Sequence, residues 1–236
     1  NSARMSVGKI VNRIPVLGPA AIKVKKAVFG QKKFPGSAEY WESRYATGGN
    51  SGAGSYSLLA MHKAEIINAF VAENDIQTVI EFGCGDGNQL TLGKYPNYIG
   101  LDVSPTIIRH CMHLFKGDDS KSFFVYDSRA FQDNHEVFKV DLAMSLDVLY
   151  HLIEDEVFNN YMNHLFNAAS KYVLVYSSNF QKAQNHHEID RVFTDWIAQN
   201  RPDWEFWKKI DNKYKVDPKD PINSSKADFY FFRPKR

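Results

Sequence analysis

The sequence predicts an α/β fold in which a mostly parallel sheet of seven strands carries helices on both faces. Three observations favour this fold. Short apolar stretches alternate with longer helical stretches between about residues 57 and 179, as in sheets whose parallel strands are joined by crossover helices. The first apolar stretch ends in an acidic residue and a run of alternating glycines. Two further strand-like stretches beyond residue 203 follow the alternation and close the sheet.

Two helices are predicted ahead of the first strand. Ser37 is placed to cap the first helix, which continues through Tyr45 and ends at Gly48-Gly49. A glycine- and serine-rich loop then leads into a second helix over residues 57–74.

The first strand contains Thr78-Val79-Ile80 and runs into Glu81-Phe82-Gly83-Cys84-Gly85-Asp86-Gly87. Alternating glycines let the backbone turn tightly and approach a ligand closely, because they lack a Cβ atom. This pattern predicts a strand–loop–helix turn at the carboxyl end of a parallel strand, where open α/β sheets bind ligands. A dinucleotide fingerprint would have glycine where this chain has Asn88, and Glu81 would repel a pyrophosphate. The motif therefore favours a cationic ligand over a nicotinamide dinucleotide.

The second strand, residues 98–101, ends in Asp102, which is placed to accept hydrogen bonds from ribose hydroxyls. Ser104 and Pro105 are suited to the N-cap and the first position of the next helix. A third strand ends in Asp127. That third strand covers residues 123–126, and the remaining four are predicted at residues 140–146, 171–179, 204–210 and 227–232.

These signals, in this order along residues 37–236, resemble class I methyltransferases that depend on S-adenosylmethionine (SAM) and have a Rossmann-like seven-stranded sheet. SAM carries an ammonium and a sulfonium group and no phosphate, so its charge agrees with the Glu81 carboxylate. The resemblance implies that Asp127 binds the adenine amino group and that the loop over residues 48–55 acts as a lid, although a plain linker is the alternative. The expected cofactor-binding residues are Glu81, Gly83, Gly85, Gly87, Asp102, Val103, Asp127, Ser128 and Ser145.

A finer resemblance rests on residues 40–45, 48–52, 145–151 and 193–196, which are similar to bacterial methyltransferases associated with surface-glycan and polysaccharide synthesis. It implies that the acceptor is a sugar hydroxyl of a glycan or a lipid-linked saccharide. Methylation of a small-molecule amine or of RNA stays open, as does a non-catalytic SAM-binding module.

A hydroxyl acceptor needs a base that titrates near neutral pH, a property of histidine. His151 follows the fourth strand and is the first candidate, and His187, after the fifth strand, is the second. Tyr150, His186 and Arg191 are expected to bind the acceptor, with core packing and exposed loop positions as the alternatives.

Asp147 and Asn179 are two oxygen ligands in positions that metal-dependent relatives use. Two such ligands are too few for Mg²⁺, so no metal is predicted.

The net charge of +2 is divided unevenly along the chain. Residues 1–36 carry eight basic and no acidic side chains, which leaves 21 basic and 27 acidic side chains, or −6, in residues 37–236. The first four residues are expected to be a cloning remnant ahead of Met5. The basic, partly apolar leader is expected either to contact an anionic membrane through residues 5–33 or to pack as a helical arm, and no nucleic-acid partner is expected.

The chain has two cysteines, one of them in the glycine loop, and no run of about 20 apolar residues. These features predict a reducing, cytoplasmic location, with peripheral attachment at the inner face of the membrane as a further expectation.

Overall fold

The computed structural model describes residues 34–235, apart from the side chains of Gln184 and Asn185. From Pro35 onward these residues form one compact unit. The predicted leader over residues 1–36, with its cloning remnant and its membrane-contacting or helical segment, lies outside the described residues except for its last three positions. Its role and its boundary remain predictions.

Within residues 34–235 the α-helices are α1 Ser37–Ala46, α2 Ser57–Glu73, α3 Pro105–Leu114, α4 Asp155–Ala168 and α5 Phe193–Asn200. The strands are β1 Thr78–Phe82, β2 Asn97–Asp102, β3 Lys121–Val125, β4 Val140–Leu146, β5 Ala169–Ser177, β6 Lys182–Asn185, β7 Glu188–Asp190, β8 Trp204–Ile210 and β9 Asp228–Pro234. Short 3₁₀ turns lie at Ala53–Ser55, Gln89–Leu92 and Leu149–His151.

Seven strands form one sheet in the order β3-β2-β1-β4-β5-β9-β8, while β6 and β7 form a separate hairpin. Strands β1 to β5 pair in parallel, and β9 is antiparallel to both of its neighbours. The predicted fold is confirmed. The strand order reverses between β1 and β4, and this switch point is where open α/β sheets form a ligand crevice.

The core has two halves, one on each face of the sheet. Successive residues of a strand point to opposite faces, so Val79 and Ile80 enter different halves. Ile80 belongs to the half that contains Phe158 of α4, and Val79 belongs to the half that contains Ile67 of α2. Helices on both faces therefore hold β1 rigidly, and with it the start of the glycine loop.

The predicted cap of α1 was wrong. Gly36, with φ +116°, occupies the N-cap position, and no side chain caps the helix. Ser37 instead fastens the helix to a distant loop: its Oγ donates to the carbonyl of His151 at 2.8 Å, and its backbone N–H donates to Glu154 Oε1 at 3.0 Å. At the other predicted cap the expectation was correct, since Ser104 Oγ accepts from Ile107 N at 3.1 Å.

The helix expected after the glycine loop was also wrong, because Gln89–Leu92 makes a single 3₁₀ turn. Gly93 and Pro96 follow at once, and the residue before a proline is disfavoured in a helix. Strand β3 ends at Val125, so Tyr126 and Asp127 lie beyond it instead of closing it. None of the described helices is long and apolar enough to cross a membrane.

Candidate functional site

A cavity of about 550 Å³ opens at the carboxyl ends of β1, β2 and β4. Of the predicted cofactor residues, those that line it are Glu81, Gly83, Gly85, Asp102, Val103, Asp127 and Ser128. His151 also lines the cavity, while Trp41, Tyr45, Ser51, Lys63 and Gln89 line it without having been predicted to bind ligand. Five separate segments of the chain therefore meet around one space.

The glycine loop has a conformation that requires its glycines. Gly83 and Gly85 have φ angles of +83° and +58°, in the left-handed region that side chains disfavour. A Cβ atom at Gly85 would lie 2.3 Å from Ser51 Oγ, and one at Gly83 would lie 2.5 Å from Val148 Cγ2. Both positions are thus closed to larger residues, which leaves bare backbone facing the cavity.

Asp102 is fixed at the end of β2 by backbone donors. Gly85 N donates to its Oδ2 and Ser104 N to its Oδ1, each at 3.0 Å. Burial raises the pKa of this carboxyl to about 6, although both hydrogen bonds act in the opposite direction. A carboxylate offers about four acceptor positions, so two remain for a pair of neighbouring hydroxyls.

Glu81 is almost fully buried, and Tyr98 donates its hydroxyl to Oε2 at 2.6 Å. Burial raises the pKa of Glu81 to about 7, and the nearby Lys63 ammonium works against that rise. Near neutral pH a cationic ligand would therefore shift Glu81 to its charged form.

The loop between α1 and α2 is bonded to the glycine loop. Ser51 N donates to Asp86 Oδ2 at 2.8 Å, and Asp86 N donates back to Ser51 Oγ at 2.8 Å. Tyr56 donates its hydroxyl to the same carboxylate at 2.8 Å. This arrangement covers the glycine loop, in keeping with the lid interpretation, which stays a prediction.

Four polar residues of the cavity lining, which we call the charged cluster, are Lys63, Glu81, Gln89 and Asp147. Lys63 Nζ lies 2.6 Å from Asp147 Oδ2, and the side chain of Lys63 is 1% exposed. The role of Lys63 was missed, but a signal existed: it lies three residues after Ala60 and four before Ile67, both buried on the same helix face.

His151, His187 and Glu188 form a second group, the histidine cluster. His151 Nδ1 lies 3.2 Å from the carbonyl oxygen of His187, and the two rings stack with centroids 5.2 Å apart. A carbonyl only accepts, so Nδ1 carries the proton and Nε2 keeps its lone pair. Burial lowers the pKa of His151 to about 4, which leaves the ring uncharged at neutral pH.

Each member of the histidine cluster offers one metal-ligand atom, and these atoms lie within 4.8 Å of one another. Two imidazoles and a carboxylate suit Zn²⁺ or Mn²⁺ better than Mg²⁺. Lys226 Nζ already lies 2.9 Å from Glu188 Oε2, and its positive charge opposes a cation there. The oxygen pair considered from the sequence does not converge: Asn179 bonds to Thr194, while Asp147 bonds to Lys63 and Tyr150.

Other predicted residues are engaged outside the cavity lining. Arg191 donates to the carbonyls of Leu152 and Ile153 and pairs with Asp155 at 2.7 Å, so it holds the loop before α4. Four more predicted residues contact protein neighbours. Tyr150 donates to Asp147 at 2.8 Å, and His186 contacts His187. Ser145 Oγ lies 2.7 Å from the Tyr161 hydroxyl, and Gly87 packs against Phe115 and Cys111. Their ligand roles stay predictions.

The two cysteines are both buried: Cys84 lies within the glycine loop, and Cys111 packs against that loop. Cys111 of α3 donates its thiol to the carbonyl of Gly85 at 3.2 Å. The Cys111 thiol, together with burial, holds the pKa of the Cys84 thiol well above its usual value.

No sequence-family model matches the chain. A small RNA 2′-O-methyltransferase of Arabidopsis thaliana is 28% identical over 109 residues, which are 42% of this chain and 12% of the relative. The chain thus aligns with about one eighth of that protein's length.

Solved structures match at lower identity but over more of the chain. The N-methyltransferase NodS of Bradyrhizobium japonicum, solved with S-adenosylhomocysteine (SAH), has a TM-score of 0.61 at 12% identity and covers 85% of this chain and 100% of its own. The methyltransferase domain of bacterial CtHen1 has a TM-score of 0.58 at 19% identity and covers 75% and 98%. Magnesium protoporphyrin IX methyltransferase of Synechocystis, solved with SAM, has a TM-score of 0.53 at 11% identity and covers 92% of each chain.

These relatives are methyltransferases, several of them solved with SAM or SAH, and they support the predicted enzyme class and cofactor. With its strand order, its glycine loop and the carboxylate that ends β2, the chain has the class I SAM-dependent methyltransferase fold.

Proposed function

We propose that the chain is a SAM-dependent O-methyltransferase that acts on a sugar hydroxyl, with a glycan or a lipid-linked saccharide as its acceptor. The observation that carries the proposal is the placement of His151 on the same cavity as Glu81 and Asp102. The cavity is therefore lined by the neutral imidazole of His151, the buried carboxyl group of Glu81 and the fixed carboxylate of Asp102.

The cavity residues fit SAM. Asp102 has acceptor capacity for the two ribose hydroxyls, and Gly83 and Gly85 line the cavity with backbone alone. Glu81 and Asp147 supply negative charge for the ammonium and the sulfonium. SAM, when bound, supplies an electrophilic methyl group, and the protein has to position the acceptor and receive its proton.

His151 is the residue that we assign to the proton. Its Nδ1–H is held by the carbonyl of His187, so Nε2 is free to accept the proton of a hydroxyl. Stacking with His187 and edge contact with Trp41, 5.0 Å between centroids, fix the plane of the ring. The ring is uncharged near neutral pH and so has the form that accepts a proton, while burial holds its pKa at about 4, below the near-neutral range that best suits a general base.

RNA is the second candidate acceptor, because the curated relative is named as a small RNA 2′-O-methyltransferase. A ribose 2′-hydroxyl is also a sugar hydroxyl, so the same base would serve. The charge of the protein body favours the glycan, since residues 37–236 carry a net −6 and RNA affinity depends on cationic contacts with phosphates.

Transfer of labelled methyl groups from SAM to bacterial polysaccharide fractions and, in parallel, to total RNA tests the proposal. We expect label in the polysaccharide, released with a methylated sugar. Label only in RNA would establish the second candidate, and label in amine metabolites would overturn O-methylation. Binding of NAD but not SAM in calorimetry would refute the enzyme class itself.

A further inference from the structure

Lys63 carries a positive charge that is buried, and removing a charge from water costs desolvation free energy. Its side chain is 1% exposed, yet it lines the cavity and has one carboxylate partner, Asp147 Oδ2 at 2.6 Å. Its ammonium also lies 5.2 Å from the ring centroid of Tyr176. A buried ion pair contributes little net stability once desolvation is counted, so stability alone does not account for it.

Asp147, the partner of Lys63, is held in a strained conformation. Its φ angle is +61°, which is uncommon for a residue with a side chain. A Cβ atom at Gly54 would lie 2.6 Å from Asp147 Oδ2, so the loop between α1 and α2 packs directly on this carboxylate. Strained residues that persist are concentrated at functional sites.

Gln89 adds an unsatisfied acceptor to the lining of the same cavity. Its Nε2 donates to the carbonyl of Ala60 at 3.1 Å, which fixes the orientation of the amide, because a carbonyl cannot donate. Its Oε1 is buried and has no hydrogen-bond partner among the described residues. A buried polar atom without a partner is rare and costly, and here it indicates a donor supplied by a ligand.

The charged cluster therefore combines one ammonium, two carboxyl groups and an open amide oxygen. A ligand that carries only an adenosine has no charged group to bind the ammonium, the carboxyl groups or the amide oxygen of the charged cluster. A ligand with an α-amino acid supplies a carboxylate for the ammonium and an ammonium for the oxygens. The amino-acid part of SAM and SAH has this pair of charges.

We propose that Lys63 binds the carboxylate of the cofactor's amino-acid part, while Gln89 Oε1 and Asp147 receive its ammonium. This inference rests on the proposed SAM cofactor and specifies which residues select it. Lys63 then makes the protein prefer adenosyl ligands with an intact amino acid over 5′-methylthioadenosine, which has none.

The test is calorimetry of the full chain with SAH, 5′-methylthioadenosine and decarboxylated SAM. For Lys63→Gln we expect affinity for SAH to fall at least tenfold, with affinity for the other two ligands changed less than twofold. A uniform loss for all three ligands, or no loss for any, would overturn the inference. Lys213→Gln, at an exposed lysine, is the matched control and should leave all three affinities unchanged.

A second variant protects the test against misfolding, since Lys63→Gln leaves Asp147 without its cation. The double variant Lys63→Gln/Asp147→Asn replaces the ion pair by two neutral amides of similar size. Affinity for SAH should again fall and affinity for 5′-methylthioadenosine should stay unchanged, while decarboxylated SAM should now also bind more weakly, because it keeps the ammonium that is assigned to Asp147. Lys63→Arg keeps the positive charge and should retain at least part of the preference for SAH; loss equal to that of Lys63→Gln counts against the carboxylate assignment. If the unmodified protein binds neither SAM nor SAH, the cofactor proposal fails, whereas SAH binding that ignores Lys63 refutes only this inference.

Discussion

The charged cluster lines the cavity, to which the histidine cluster contributes His151, and the two clusters are built from different parts of the molecule. Glu81 is a residue of the central strand β1, and Lys63 belongs to the long helix α2 that packs on it. His151 lies in a one-turn helix, and Glu188 begins a strand of the hairpin outside the main sheet. The side chain of Lys63 is 1% exposed, against 30% for His187 and 37% for Glu188.

The difference in burial and position agrees with the separate roles proposed for the two clusters, cofactor binding and contact with the acceptor. The groups that we assign to the cofactor are set in the rigid sheet and its helices, where their geometry is fixed by the core. The groups that we assign to the acceptor lie on short surface segments, which are free to differ between proteins of one fold. Breaking either cluster should therefore have separable effects on cofactor binding and on turnover.

The largest effect is expected at Asp102. Asp102→Ala removes the acceptor for two ribose hydroxyls, and at about 1.5–3 kcal/mol for each charge-assisted hydrogen bond SAM affinity should fall by about 10²-fold or more. Calorimetry measures it, with circular dichroism to confirm folding. Asp127→Ala, at an exposed carboxylate, should weaken binding less. Unchanged affinity in Asp102→Ala would remove the ribose assignment.

Loss of the proposed base should affect turnover alone. His151→Ala is expected to lower kcat by about 10²-fold or more, as for other general bases, while SAM affinity changes little. His110→Ala, at an exposed histidine of α3, is the control. Equal loss of kcat in both variants, or a loss of SAM affinity in His151→Ala, would contradict the separation of the two clusters.

A smaller effect is expected from pH. The pKa of Glu81 is raised to about 7 by burial, and a cationic ligand favours its charged form, so SAM affinity should rise by up to about tenfold per pH unit below 7 and level off above it. SAH lacks the sulfonium charge and should show a weaker dependence. Asp102, with a pKa of about 6, affects both ligands alike. Glu81→Gln should flatten the difference between SAM and SAH; if that difference persists unaltered, another group is responsible.

The smallest expected effect concerns metal. We predict that a chelator leaves methyl transfer unchanged, because Lys226 already neutralises Glu188 in the histidine cluster. Activity lost with the chelator and restored by Mn²⁺ or Zn²⁺ would contradict this prediction and assign the ion to His151, His187 and Glu188.

Much of the cofactor site could be predicted from the sequence, because it depends on local order. Glu81 and Asp102 come directly at strand ends, and parallel strands bring those ends to one edge. Gly83 and Gly85 were predicted from the turn that they allow. The fold followed from the same alternation of strands and helices.

The rest depended on contacts between distant segments. Lys63 and Asp147 are separated by 84 positions, and nothing local to either residue indicates that they pair. Arg191 is predicted from the sequence to bind the acceptor, and its contacts in the folded chain, which hold the loop at Leu152 and Ile153, have no local signal in the sequence. Ser37 resembled a helix cap and instead joins α1 to the loop at His151.

The burial of both thiols has a practical consequence for measuring lid movement. Cys84 of the glycine loop and Cys111 of α3 are both buried, and the raised pKa of Cys84 keeps it in the unreactive protonated form. A maleimide dye would therefore react selectively with a single cysteine introduced on the exposed Asn50 side of the loop between α1 and α2. Cys84 and Cys111 therefore need not be replaced before a dye is attached for single-molecule fluorescence.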